Sequence, residues 1–212
     1  MKKVCIVRDD YYHPREVIDP FFDKVFFETE QYKVRLTDNL REALEEEMDL
    51  LILANTGRND SQAGVTFELR ATVAERVKQG MGMIFFHSGT VLIEKEDDFY
   101  QKLNSGRFIT HSDGHVTVRT SAIRNVQAHP LLNGVGPIEG TDEHYFCEVD
   151  EREVDVLMIS TSRCGSSVGA WCSEYGRGRV VVSLPGHTPE ILEDENLVRF
   201  IKNAVKWSVI KE

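Results

Sequence analysis

Residues 81–90, MGMIFFHSGT, constrain the fold more than any other stretch. Apolar positions run from Met81 to Phe86 with a single glycine among them, then stop at His87-Ser88-Gly89-Thr90. A continuous apolar run bounded by glycine and a polar turn reads as a strand buried on both faces, the kind found inside parallel sheets. Open α/β proteins put their ligands at the carboxyl ends of such strands. His87 and Ser88 stand at that end. Val91-Leu92-Ile93 reads as the start of a helix, so strand, turn and helix form an elbow that lifts a side chain out of the sheet.

The flanking segments agree with that reading. Residues 3–8 and 33–37 are short strands, and 49–54 (DLLILA) is another buried one ending in the polar loop 55–64. Helices are expected from Asp19-Pro20, with Asp as cap and Pro in the first turn, over 40–47, and over 65–79. The last of these presents Phe67, Ala71, Ala74 and Val77, and Gly80 closes it in a left-handed conformation. Four alternations of strand and helix predict a parallel sheet covered on both faces. The second half changes character. Residues 115–120 (HVTVRT) alternate, 127–137 read as loop, and 154–160, 168–173 and 179–184 are strands. The last two are joined through Gly176-Arg177-Gly178, a hairpin signal. Residues 196–210 form the closing helix. The expectation is one domain over 1–212, a three-layer α/β/α sandwich with a mostly parallel sheet and antiparallel additions.

Charge narrows the function. A net charge of −10 argues against nucleic acid and anionic membrane surfaces, which require basic patches. Met1-Lys2-Lys3 precedes only four apolar residues, so no signal peptide is expected, and no run approaches a membrane span. The four cysteines, Cys5, Cys147, Cys164 and Cys172, form no CxxC pair and read as reduced thiols of a cytoplasmic protein.

Three motifs carry candidate chemistry. In the first, His87-Ser88 face the elbow. Ser88 lacks the G-x-S-x-G surroundings of a hydrolase nucleophile. The second is TDEHYF, residues 141–146. If it is extended, Asp142 and His144 share one face while Glu143 and Tyr145 share the other. The bland reading is a solvated acidic rim. In the third, SLPGHTPE, a strand end and a Pro-Gly turn deliver His187, with Glu190 three residues on. That suggests a base with an orienting carboxylate, or simply a helix start with Thr188 as cap. Asp10, His13, Asn55 and Arg58 follow other strands and line the same crevice if they are more than loop residues. His111 and His115 are weak metal candidates, and His129-Pro130 reads as a turn.

Taken together, FFHSG, HPLLNGV, TDEHYF and GRGRVVVSLPGHTPE before a final helix resemble the ThuA-like (trehalose utilisation) proteins over nearly the whole chain. The resemblance implies a flavodoxin-like, class I glutamine amidotransferase-like fold. In that superfamily the elbow carries a cysteine nucleophile with glycine two residues on. Here His87 takes the place, with Gly89 following, and no cysteine can fill it, so glutaminase chemistry is contradicted. The superfamily's histidine and glutamate fall at His187 and approximately Glu190. ThuA-like proteins are associated with breakdown of disaccharides and of keto-sugar derivatives made by partner oxidoreductases. The resemblance therefore implies His/carboxylate acid–base chemistry on a small sugar, of the hydrolase, lyase or isomerase kind, by His87, Glu143 and His187. Asp10, His13, Asn55, Ser88, Asp142, Tyr145 and Glu190 are the expected substrate contacts. The three catalytic residues are also the expected ligands of any divalent metal, zinc or manganese. The alternative is a non-catalytic sugar-binding or regulatory module that lost its nucleophile. A homo-oligomer is the default expectation for such a domain.

Overall fold

A computed structural model describes residues 1–27, 30–56, 67–91, 102–126 and 128–209. Eleven strands form two sheets among them: β1 (Lys2–Arg8), β2 (Tyr32–Thr37), β3 (Leu50–Ala54), β4 (Gly82–Phe86), β5 (Gly106–His111), β6 (Val116–Ala122), β7 (Ile138–Asp142), β8 (Tyr145–Val149), β9 (Asp155–Ser162), β10 (Gly165–Tyr175) and β11 (Gly178–Ser183). Nine of them build the main sheet in the order β2-β1-β3-β4-β11-β10-β9-β6-β7, and β5 pairs with β8 apart from it. The five strands from β2 to β11 run parallel, in the 2-1-3-4-5 order of flavodoxin-like sheets. The four pairings from β11 out to β7 are antiparallel. The sheet is thus half parallel rather than mostly so, because the second half of the chain turns back by hairpins. The β10–β11 hairpin turns at Gly176, whose φ of +62° is left-handed.

Alternation along the strands splits the core into two layers. Val4, Ile6, Leu50, Ile52, Ile84 and Phe86 face α1 (Arg15–Phe26), a short α4 (Pro189–Leu192) and α5 (Glu195–Ser208). Cys5, Val7, Leu51, Leu53, Met83 and Phe85 face α2 (Leu40–Ala43) and α3 (Phe67–Lys78). This is the expected three-layer sandwich. In α5 the residues Leu197, Phe200, Ile201, Ala204 and Ser208 are buried as their spacing predicts. Phe21 and Phe22 of α1 pack on Phe86 at ring-centroid distances of 5.1 and 5.6 Å, anchoring the end of β4. Each ring removed from water contributes on the order of 2 kcal/mol.

Several boundaries differ from the sequence expectation. Helix α1 starts at Arg15, with Pro20 inside it and no side-chain cap. Asp19 does not cap, because both its oxygens accept from the Arg8 guanidinium at 2.8 and 3.0 Å. Helix α2 is a single turn. The buried face of α3 is Leu69, Val73, Ala74 and Val77, and Ala71 is exposed. Strands β5, β7 and β8 are additional to those expected from sequence, and loop 127–137 contains a 3-10 turn, Pro130–Leu132. The expected helix start at Leu92-Ile93, the loop residues 57–64 with Arg58, and the helix start at 65–66 lie outside the described residues.

Candidate active site

Four side chains converge above the carboxyl ends of β1, β4 and β11: His13, His87, Glu143 and His187. Their ligand-type atoms all lie within 4.8 Å of one another. Each is delivered by a locally dictated device.

Residues 9–13 leave β1 in a tight loop, with Asp9 left-handed at φ +79°. Asp10 organises it. Its Oδ1 accepts from the Tyr12 amide at 2.8 Å, the His13 amide at 2.8 Å and His13 Nδ1 at 2.9 Å. Its Oδ2 accepts from the Thr56 amide, just past β3, at 2.7 Å. Burial alone would raise the Asp10 pKa. The His13 hydrogen bond and charge and the Thr56 and Tyr12 amides outweigh it, and the carboxyl is held below its ordinary value. An ionised Asp10 only accepts, so His13 carries a proton on Nδ1 and turns Nε2 to the cluster, the nitrogen that bears the lone pair in the neutral imidazole.

His87 begins the 3-10 turn His87–Thr90 with φ +42°, a strained conformation for a residue with a Cβ. Gly89 is needed beside it, since a Cβ there would lie 2.0 Å from the Leu53 carbonyl oxygen. His87 Nδ1 donates to the Leu184 carbonyl at 2.6 Å, leaving Nε2 as its free lone pair. Its ring is 1% exposed and stacks on Tyr145 at 4.2 Å. Burial, then the neighbouring His13, holds His87 neutral, with its pKa well below the usual histidine range.

His187 is set by Asp142. The Asp142 carboxylate accepts from the amides of Gly186 and His187, each at 2.9 Å. Gly186 stands at φ +154°, and a Cβ on it would meet the Phe86 ring at 2.6 Å. Only glycine lets this loop close onto His87. His187 Nδ1 lies 3.0 Å from His13 Nε2, 3.4 Å from His87 Nε2 and 3.3 Å from Glu143 Oε2. Burial, then His13, lowers the His187 pKa to about 4.

Glu143 bridges β7 to β8. The expected alternation holds there: Asp142 and His144 are buried on one side, and Glu143 and Tyr145 face the cluster. Glu143 Oε2 is 3.9 Å from His87 Nε2, while Oε1 is 3.8 Å from His111 Nδ1. His144 is structural, bonded to Ser162 and Ser167 at 2.7 and 2.9 Å.

Other expected substrate contacts are placed differently. Asp142 has no exposed surface, and its oxygens are spent on backbone amides. Burial pushes its pKa up to about 7 despite the amides of Gly186, His187, Glu143 and Thr188. It positions His187 rather than facing a ligand. Ser88, the second residue of the 3-10 turn, is 1% exposed. Tyr145 is the buried wall behind His87. Glu190 lies outside the cluster in the first turn of α4, where it accepts from the Thr141 amide at 3.0 Å, and Thr188 caps that turn. The helix-start reading of this segment therefore describes Glu190. Asn55 is buried beside Thr56, and its Oδ1 has no partner among the described residues. His13, expected only to line the crevice, is a full member of the cluster. The D-x-x-H spacing, an acceptor positioned to orient a histidine three residues on, is the signal that could have found it.

The donor set suits a divalent ion. Two imidazoles have their lone pairs directed inward by hydrogen bonds to the far nitrogen, as metal-binding histidines generally do. Donors about 2.1 Å from a tetrahedral ion stand roughly 3.4 Å apart, and the three contacts of His187 Nδ1 span 3.0–3.4 Å. A second grouping, His129, Asp155 and Cys172, fits poorly. The Leu131 amide donates to His129 Nδ1 at 3.2 Å, so Nε2 keeps the proton and points it at Cys172 Sγ, 3.7 Å away. Burial pushes the Cys172 thiol up to about 12.

Comparison with known proteins agrees with this architecture. The family model ThuA, trehalose utilisation, matches residues 3–208. No curated protein matches the chain in sequence. Among solved structures, a ThuA-like protein of Bacteroides uniformis superposes with a TM-score of 0.75 at 17% identity, over 97% of this chain and 90% of that one. One from Parabacteroides merdae gives 0.74 at 15% identity, over 98% and 90%. A β-galactosidase from Rahnella gives 0.65 at 10% identity, over 97% of this chain but 31% of that one. At these identities the likeness is one of fold. No helix of the described residues is long and apolar enough to cross a membrane. The chain belongs to the ThuA family.

Proposed function

We propose that this ThuA-family protein acts on a sugar, a disaccharide or its keto derivative, at a centre where His13, His87 and His187 hold a divalent cation and Glu143 moves the proton. The observation that carries the reading is the convergence of three imidazoles and one carboxylate at the carboxyl end of a doubly wound sheet. The family's link to trehalose utilisation supports the substrate class. The ion, zinc or manganese in kind, would supply Lewis-acid polarisation of a sugar carbonyl or hydroxyl oxygen.

The protein's own groups do the rest. His13 and His87 are held in the lone-pair-inward tautomer by Asp10 and the Leu184 carbonyl. The depressed pKa of His187 keeps it unprotonated at neutral pH, so a metal does not compete with protons for it. Glu143 is the group free to act as acid or base, being neither spent on backbone amides nor buried as Asp142 is. For a 3-keto sugar, the Glu143 carboxylate beside the carbonyl would remove the adjacent C–H proton. The resulting enolate expels the glycosidic oxygen at the next carbon or is reprotonated as an isomer. A partner oxidoreductase would supply such a keto-sugar, and both would work in the cytoplasm.

The test is turnover of a 3-keto-disaccharide by the parent, H87A, H187A and E143Q. The reading expects product from the parent and at least a ~100-fold loss in each variant. Unchanged turnover in H87A and H187A would remove it. Binding without product in the parent would favour a non-catalytic sugar-binding module.

A further inference from the structure

We infer that Tyr11 and Tyr12 form a preorganised stacking platform for the second ring of a glycoside whose first ring reacts at the histidine cluster. This rests on the sugar reading above and deepens it by naming the residues that would hold the second ring.

The two tyrosines are among the most exposed large side chains of the protein, at 86% and 61%. Tyrosine usually buries most of its ring, and two adjacent exposed rings are a costly feature unless something covers them. Neither hydroxyl hydrogen-bonds to another described residue, so both are free to meet sugar hydroxyls. The rings meet edge to face, with centroids 5.0 Å apart and planes at 88°, making a corner with one face and one flank. The C–H face of a pyranose fits against such a face while its hydroxyls stay wet.

Position ties this corner to the site. The Tyr12 ring lies 6.5 Å from the His13 ring, and His13 is itself a cluster member. Tyr12 thus stands beside His13 with Tyr11 against it, both rings open to solvent while His13 is buried, so a second sugar ring bound there would sit next to the cluster. The inner wall cannot do this, because Tyr145 is 4% exposed and already stacked on His87.

Rigidity is the third element. One oxygen, Asp10 Oδ1, accepts from the Tyr12 amide, the His13 amide and His13 Nδ1. Backbone bonds join Asp10 and His13 in both directions, at 3.2 and 3.3 Å. The same carboxylate thus fixes the ligand histidine and the base of the platform. Little loop entropy remains to be lost when a sugar binds.

The experiment is isothermal titration of trehalose, cellobiose and methyl α-glucoside into the parent, Y11A/Y12A and Y11F/Y12F. The parent is expected to bind a disaccharide more tightly than the methyl glucoside. Y11A/Y12A should lose ~10-fold in disaccharide affinity and keep its methyl glucoside affinity. Y11F/Y12F keeps both rings and should stay within about threefold of the parent. Equal disaccharide affinity in the parent and Y11A/Y12A overturns the platform and leaves the sugar reading standing. Equal losses for disaccharide and monosaccharide also overturn it, since the tyrosines would then be shaping the site as a whole. If the parent binds none of the three sugars, the platform is overturned, while turnover of the 3-keto-disaccharide decides the sugar reading separately.

Discussion

Replacing Asp10 by asparagine tests how His13 is held, because one carboxylate accepts four hydrogen bonds there. Asparagine has a single acceptor oxygen. If that oxygen keeps the place of Oδ1, the bonds from Tyr12, His13 and His13 Nδ1 survive, but as neutral bonds. The amide group then meets the Thr56 amide, which now donates into a carboxylate at 2.7 Å. Two buried N–H donors facing one another leave at least one unsatisfied, at a cost of about 1–3 kcal/mol. The lost charge assistance on the other bonds adds about 1 kcal/mol. D10N should therefore destabilise the protein by about 3 kcal/mol, or roughly 6–12 °C in melting temperature for a chain of this size. Urea denaturation at pH 7 measures it. The sign with pH follows from the depressed Asp10 pKa. Its stabilisation is fully present above the unfolded value of 3.8 and is lost as pH falls through the lower folded value. The gap between parent and D10N should close in strong acid. Since the Asp10 charge also raises the basicity of His13 as a metal-binding group, divalent-metal affinity should fall about 10–100-fold. A destabilisation below about 1 kcal/mol with unchanged metal affinity would refute the argument.

Other outcomes follow from the same geometry. In chelated protein, His187 resists protonation down to about pH 4, while the unfolded chain takes the proton near 6.5. The parent should lose stability across that window as pH falls, by about 3 kcal/mol more than H187Q; parallel pH–stability curves would contradict this. G186A forces a Cβ against the Phe86 ring at a φ of +154° and should cost more than about 2 kcal/mol by denaturant melt. C172S should leave the metal content of the protein unchanged, as elemental analysis can show, because the His129 grouping offers no free imidazole lone pair.

What the sequence made legible divides along physical lines. The buried strand at 82–86, the hairpin at Gly176 and the apolar face of α5 depend on local pattern, and all were readable. His87, Glu143 and His187 were readable because each follows a strand end or an alternating segment. The helix at 15–26 was misplaced because Asp19-Pro20 carries genuine capping chemistry. A distant residue, Arg8, claims the aspartate instead. Strands β5 and β7 carry little apolar period-two signal: in β5 only Gly106 is buried and Ile109 to His111 are exposed, and in β7 the inward positions are Ile138, Gly140 and Asp142, only the first a large apolar residue. Asp142 looked like a ligand contact because a carboxylate next to a glutamate suggests acid–base work. Only the fold shows its oxygens turned onto the Gly186–His187 backbone. His13 is hard to weigh from sequence because its cluster partners His87 and His187 lie 74 and 174 positions away, and only the local spacing to Asp10 hints at its role.

The measurement that bears most directly on the account is the zinc and manganese content of protein purified without chelator or nickel, compared with H13A and H187A. The account predicts about one ion per chain in the parent and little in either variant. A parent that holds no ion, even after incubation with zinc or manganese, would contradict it.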